Sequence, residues 1–298
     1  MDLTLQLVER FEELLQRQDT QGPYDFKSIF RTGGFFVRRA SQKKLVLLKR
    51  LDERLRSVLW PGERVAFLGT GVLYSALETY LVGSIIYHLN RRALILTNER
   101  LLLVQIDSRQ RPQRLKSQIL LADIERIGSS VFGNAKVRLR SGASYVFANV
   151  PRRDRKHLAE LLSSLQHAAS KQSQTHQLEQ LCPYCYAVLP GHPVTCTSCG
   201  AALKSVTKAT LLSLLFPGIG TIYLGYTGLG AFKVVLGALF WLSAWTPDPR
   251  YPMTMGQLAV GAIIVLAVVH ALASWASWIL ARKGHYPAGA PKGAPGAR

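Results

Sequence analysis

Cys182-Pro183-Tyr184-Cys185, then ten residues, then Cys196-Thr197-Ser198-Cys199 hold every cysteine of the 298-residue chain. They stand where a basic, mixed-texture portion gives way to an apolar one. A Cys-x-x-Cys pair makes a tight turn that aims two sulfurs at a common centre, so two pairs can wrap one tetrahedral Zn²⁺. Four protein sulfurs leave no position open for water or substrate, and a zinc held this way is structural. The alternatives are two disulfides or free thiols. His192, between the pairs, is either a substitute ligand or a solvent-exposed loop histidine. The first twenty residues alternate Leu3, Leu7, Phe11 and Leu14 with Glu9, Glu12 and Glu13 instead of running apolar, which predicts a cytosolic start. A reducing cytosol favours metal over disulfides.

Working upstream, the linker Ala168–Gln180 is polar and rich in Ser, Gln and His. Before it, Pro151 opens a helix predicted to bury Leu158, Leu161, Leu162 and Leu165. From Glu63 to Asn149 the texture is short and β-rich, with runs at 64–68, 93–97, 101–106, 118–121, 136–139 and 145–147. Thr97-Asn98-Glu99-Arg100 and Ser141-Gly142 supply turns between them. The apolar stretch Leu73–Asn90 reads as a buried hairpin or as membrane-associated; Glu78 and the lack of an uncharged run long enough to cross a bilayer favour the buried hairpin. A helix is predicted from about Ser41 to Trp60, with Leu45, Leu48, Leu51, Leu55 and Val58 on one face and Pro61 as its stop. Residues 2–18 read as a further amphipathic helix.

Downstream, Lys204 and Lys208 precede three apolar segments, Ala209–Tyr226, Leu229–Trp245 and Leu258–Ala281. The third has 24 residues without a formal charge, about 36 Å of helix at 1.5 Å per residue, enough to cross a core of roughly 30 Å. The second carries Lys233, placed to snorkel to the headgroups, and ends at Trp241 and Trp245, residues that suit an interface. Pro217-Gly218-Ile219-Gly220 breaks the first, which is expected to be re-entrant or interfacial. The tail from Lys283 is rich in Gly, Pro and Ala and is expected to be disordered. The chain is thus multidomain α+β: helices in 1–60, a β-domain in 61–167, a linker in 168–180, a cysteine module in 181–203, a membrane domain in 204–282 and a tail in 283–298.

Three resemblances sharpen this outline. Cys182-Pro183-x-Cys185 with Cys196-x-x-Cys199-Gly200 resembles the short zinc ribbons, which implies a bound structural Zn²⁺. Tyr186 stands where that family usually has Gly, which implies a strained or differently shaped first turn. The run Arg92-Ala-Leu-Ile-Leu-Thr-Asn-Glu-Arg-Leu-Leu-Leu-Val104, followed by Ile119-Leu-Leu-Ala-Asp-Ile-Glu-Arg-Ile127, resembles the bacterial pleckstrin-homology-like domains. That implies a β-roll closed by one C-terminal helix, used for docking, with no enzymatic residues to carry over. Phe216-Pro-Gly-Ile-Gly-Thr-Ile-Tyr-Leu-Gly225 with Gly228-Leu-Gly resembles the TM2 membrane module, although position 222 is Ile where that family tends to have Phe. It implies a helical hairpin and no particular chemistry.

Charge narrows the function classes. Residues 1–206 hold 30 of the 37 Lys and Arg and 17 of the 18 Asp and Glu, leaving that portion at +13 and the remainder at +6. Phe26–Leu51 alone carries eight cations and no acid. A chain of net charge +19 seeks acidic partners, an anionic lipid surface or nucleic acid. Arg38, Arg39, Lys43 and Lys44 are the candidate membrane-surface contacts. Between Cys182 and Cys199 there is no Lys or Arg, which argues against nucleic-acid binding by the cysteine module. No nucleophile, acid–base pair or open metal is recognisable, so the chain is expected not to be an enzyme. His157 and His167 have ordinary helical neighbours, and His270 is alone in the last span, where it is expected to bond a neighbouring helix. The expectation is a module anchored in a bacterial inner membrane with its N-terminal domains cytoplasmic, docking an unidentified protein. Homo-oligomerisation is compatible with it.

Overall fold

Short apolar strands separated by tight polar turns pair into one sheet in the computed structural model of the protein, which describes residues 23–30, 37–75, 78, 85–130, 132–166, 177–246 and 254–288. The predicted helix at 2–18 lies outside them. The strands are β1 (Val65–Tyr74), β2 (Arg91–Thr97), β3 (Arg100–Ile106), β4 (Pro112–Leu120), β5 (Ile124–Ser129), β6 (Ala135–Leu139), β7 (Ser144–Ala148) and β8 (Glu179–Leu181). Their order is β5-β6-β7-β1-β2-β3-β4-β8, with antiparallel ladders at β1–β2, β2–β3, β5–β6, β6–β7 and β1–β7. The chain divides into two compact units, Met1–Gln113 with Ser117–Glu179, and Arg114–Lys116 with Gln180–Arg298.

In the first unit the helices are α1 (Phe26–Ile29), α2 (Val37–Arg56), α3 (Ile85–Leu89) and α4 (Arg152–Gln166). Strand side chains alternate between faces, so Leu94, Leu96, Leu101 and Leu103 point into one core with Phe67, Ile119, Val137, Leu139 and Phe147. Leu158 and Leu162 of α4 close that core, as the sequence predicted; Leu161 and Leu165 are partly buried at its edge. Ala93, Ile95, Leu102 and Val104, on the opposite face, are buried as well. On α2, Leu47, Leu48, Leu51 and Leu55 are buried, and the helix packs along β1.

The predicted turn at Thr97–Arg100 closes the β2–β3 hairpin, with Leu96 opposite Leu101. The Thr97 hydroxyl accepts the Arg100 amide at 3.0 Å and donates to Glu63 at 2.7 Å. Arg100 is itself buried. Its guanidinium donates to both carboxylate oxygens of Glu63 at 2.9 Å, to Gln118 at 2.6 Å and to the Val58 carbonyl at 2.9 Å, and lies 4.0 Å over Trp60. A buried charge is tolerable when it is paired and bonded to this extent.

Several sequence expectations are corrected. Of the buried hairpin predicted over Leu73–Asn90, residues 76–77 and 79–84 lie outside the described part; β1 ends at Tyr74, and Ile85–Leu89, expected as strand, is helical. Of the run predicted at 118–121, residues 118–120 are the end of a longer strand starting at Pro112 and Leu121 opens a 3-10 turn, and Ile124–Ser129 is a strand not foreseen as one. Glu179 and Gln180, assigned to the linker, belong to β8.

The second unit contains the cysteines and α5 (Val206–Leu215), α6 (Ile219–Leu224), α7 (Thr227–Ala244) and α8 (Met255–Ala281). Among the described residues α7 and α8 are long and apolar enough to cross a membrane, with mean hydropathies of 1.5 and 2.3. Their apolar windows are only 11% and 17% buried within the protein, so they are not the core helices of a soluble domain. At ten residues α5 is too short to span. The predicted break follows it, where Gly218 adopts φ 99° and a Cβ on Gly220 would overlap the Ala209 carbonyl oxygen.

Hydroxyls seal the broken backbone. Ser213 accepts the Gly220 amide at 3.1 Å and bonds Ser277 of α8 at 2.6 Å, while Ser277 reaches Thr221 at 3.2 Å. Lys233 was expected to snorkel to the headgroups; instead its ammonium donates to Thr221 at 3.4 Å. The tail expected to be disordered from Lys283 is ordered as far as Ala288. Leu203 bridges Pro287, and Tyr286, 1% exposed, accepts the Lys204 amide on its carbonyl at 2.8 Å. Residues 289–298 lie outside the described part.

Candidate metal centre

Each Cys-x-x-Cys pair folds into the same knuckle. The first cysteine donates its amide to the residue five positions on, Cys182 to Ala187 and Cys196 to Ala201, both at 2.9 Å. The residue four positions on closes the turn, Tyr186 onto the Cys182 carbonyl at 3.1 Å and Gly200 onto the Cys196 carbonyl at 2.9 Å. That closing residue is left-handed in both knuckles, with φ 59° at Tyr186 and 68° at Gly200. The strain expected at Tyr186 is therefore present.

What holds it is a cation from far upstream. Lys116 of β4 donates to the Pro183 carbonyl at 2.6 Å and stands 4.7 Å over the buried Tyr186 ring. Lys116 is itself buried, so it belongs to the module's interior. Nothing in the sequence pattern marked it.

The two knuckles bring all four sulfurs within 4.8 Å of one another. Cys182 and Cys199 are 3.8 Å apart, and Cys185 and Cys196 are 3.7 Å apart. A tetrahedral Zn²⁺ with 2.3 Å bonds to sulfur requires sulfur–sulfur edges of about 3.8 Å, whereas a disulfide requires about 2.05 Å. All four cysteines are free. The set therefore fits a four-coordinate thiolate metal and no disulfide. Leu189, Ala201 and Leu203 pack around Cys182 and Cys196 in the module's small core.

The electrostatics point the same way. Burial pushes the Cys182 thiol up, and it does so at Cys185 too, although that residue's outer surface is exposed. At Cys196 burial also opposes ionisation, but hydrogen bonds from the amides of Cys199 and Ser198 and from the Cys199 and Cys182 side chains together bring the thiol down to about 7. Ionising all four sulfurs in this space requires a compensating cation. Four thiolates closed on one metal leave no open coordination position.

Other residues singled out by sequence are placed as follows. His192 is exposed and outside the sulfur cluster, its ring 5.7 Å from that of His285. The His157 ring bonds the Ser28 carbonyl at 2.8 Å and packs on Phe67, a structural role. His270 bonds the Leu214 carbonyl at 2.6 Å and accepts the Trp241 indole N–H at 3.0 Å, the helix-to-helix bonding expected of it. His167 lies outside the described residues. Of the four candidate surface contacts, Lys43 is exposed, whereas Lys44 is turned inward, 2.8 Å from Asp154 and 5.0 Å over Phe67. Its charge is spent inside the fold. Arg38 and Arg39 sit on α2, and their side chains lie outside what is described.

The chain matches no protein-family model and no curated protein.

Proposed function

We propose that the protein is a membrane-anchored interaction module that is not an enzyme. In this reading Cys182, Cys185, Cys196 and Cys199 hold one structural Zn²⁺ as a ribbon, and residues 61–167 act as a docking domain of the pleckstrin-homology-like class. The helices α7 and α8 cross a bacterial inner membrane, and both ends of the chain face the cytosol. The observation that carries it is the closed four-sulfur cluster, immediately preceding two exposed apolar helices. A metal with no open position stabilises a surface and does not catalyse. Lys204 and Lys208 before the spans and Arg282 and Lys283 after them support the orientation, since the intervening loop is neutral, with Arg250 offset by Asp248. Nucleic-acid binding is the weaker reading, because residues 182–203 contain no Lys or Arg.

The test is metal content of the full chain purified from sealed inverted membranes under reducing conditions. One zinc per chain is expected, falling to near none in Cys196→Ser, with external protease reaching the cysteine module in inverted vesicles only. Less than half an equivalent in the parent, or full retention in Cys196→Ser, would overturn the zinc assignment. Protease access from the opposite side would overturn the orientation.

A further inference from the structure

A cavity of 810 Å³ in the first unit lies outside the cysteine module and draws on four elements. Gln42, Val46 and Arg50 of α2 recur every four residues, so one stripe of that helix forms a wall, with Lys43 beside it. Arg91 from the start of β2 and Arg109 from the β3–β4 loop complete a set of four cations. No carboxylate lines the cavity. The nearest one along the chain, Asp107, accepts the Arg111 amide at 2.8 Å. Among the described residues Lys43, Arg50 and Arg109 form no ion pair, and Arg91 donates only to the Ser108 carbonyl, at 3.4 Å.

Four like charges converging on a concavity repel one another and raise a local positive potential, an arrangement that an anion relieves. The backbone around them is also set. Gln110 and Asn149, both lining the cavity, hold left-handed conformations at φ 61° and 59°, an uncommon state for Gln that a defined loop shape maintains. The Gln110 backbone amide closes the loop onto the Asp107 carbonyl at 3.0 Å, and the side-chain carboxamides of Gln110 and Asn149 add neutral polar groups to the lining. The volume falls within the range of organic ligands and exceeds what one inorganic ion fills.

We infer that this cavity binds a phosphate ester, either the headgroup of an anionic lipid or a soluble phosphorylated compound. Arginine forks take up the phosphate oxygens, and the side-chain carboxamides of Gln110 and Asn149 contact the body that carries it. The site uses no cysteine and stands apart from the zinc reading: Cys196→Ser leaves it intact, so failure of one assignment is distinguishable from failure of the other.

The experiment is equilibrium dialysis of the full chain in neutral detergent, with glycerol 3-phosphate as the soluble probe and phosphatidic acid mixed micelles as the lipid probe. Phosphatidylcholine micelles are the blank. One saturable, salt-sensitive site per chain is expected, weakened at least about tenfold in Arg91→Gln/Arg109→Gln. Val46→Trp, which fills the cavity and removes no charge, should weaken it as much. Arg126→Gln/Lys136→Gln removes two exposed cations from β5 and β6 and should stay within about twofold of the parent. Tighter binding of phosphatidic acid assigns the lipid source, and equal or tighter binding of glycerol 3-phosphate assigns the soluble one. The inference is overturned if neither probe binds, if the control pair weakens binding as much as the cavity pair, or if Val46→Trp binds like the parent. It is equally overturned if a single-stranded oligonucleotide binds more tightly than both probes and ignores Val46→Trp.

Discussion

Replacing Tyr186 by Gly sets two effects of one residue against each other. At φ 59° the tyrosine backbone is strained, and glycine would recover about 1–2 kcal/mol. The ring, however, is 8% exposed, and losing its burial costs about 1.5–3 kcal/mol. Removing the face on which the Lys116 ammonium rests costs a further 0.5–2 kcal/mol or so. At the centre of these ranges packing outweighs strain, and the net loss is about 2 kcal/mol. Because the knuckle places Cys182 and Cys185, its folding is linked to metal binding, so zinc affinity should fall roughly 30-fold. Gly200→Ala is the matched control. The same left-handed turn has nothing within 4 Å of a new Cβ, so only the backbone cost of about 1–2 kcal/mol applies and affinity should drop about 5- to 30-fold. Competition with a chromophoric chelator on the full chain in neutral detergent measures both. If Tyr186→Gly binds zinc as tightly as the parent, or more tightly, the Lys116–Tyr186 contact does not hold the knuckle and the reasoning fails.

Two further outcomes follow from buried groups. Glu63→Ala strands the Arg100 guanidinium and should cost about 3–5 kcal/mol, while Glu63→Leu/Arg100→Met should recover most of that; thermal melts followed by circular dichroism check it, and a double variant no better than the single one would refute it. Burial lowers the His285 pKa; a hydrogen bond with the Leu189 backbone partly opposes it, and the charge of His192 adds a smaller lowering. A base with a depressed folded pKa stabilises fully above its unfolded value of about 6.5 and loses that contribution as pH falls from there through the folded value. Melting temperature should therefore decline below about pH 6.5, and His285→Phe should flatten that decline; identical profiles for the two proteins would refute the assignment.

The local patterns of the sequence determined a good deal by themselves. The spacing of the four cysteines specified the four-sulfur cluster, because a tight turn fixes where two sulfurs point. Segment length and apolarity identified α7 and α8, Pro217 and Gly218 marked the broken helix before them, and Thr97–Arg100 marked the hairpin, each a matter of a few consecutive residues. Burial of Leu158 and Leu162 followed from helical periodicity. The tertiary structure alone decided which distant residues meet. Lys116 supports a knuckle 67 positions on, Tyr286 docks onto Leu203 and Lys204 from a Gly/Pro/Ala tail whose composition reads as unstructured, and Lys44 turns inward to Asp154 although it sits in a basic run. The cavity cations come from α2, β2 and the β3–β4 loop. No periodicity relates such positions, since strand register and helix packing set them only once the core has assembled.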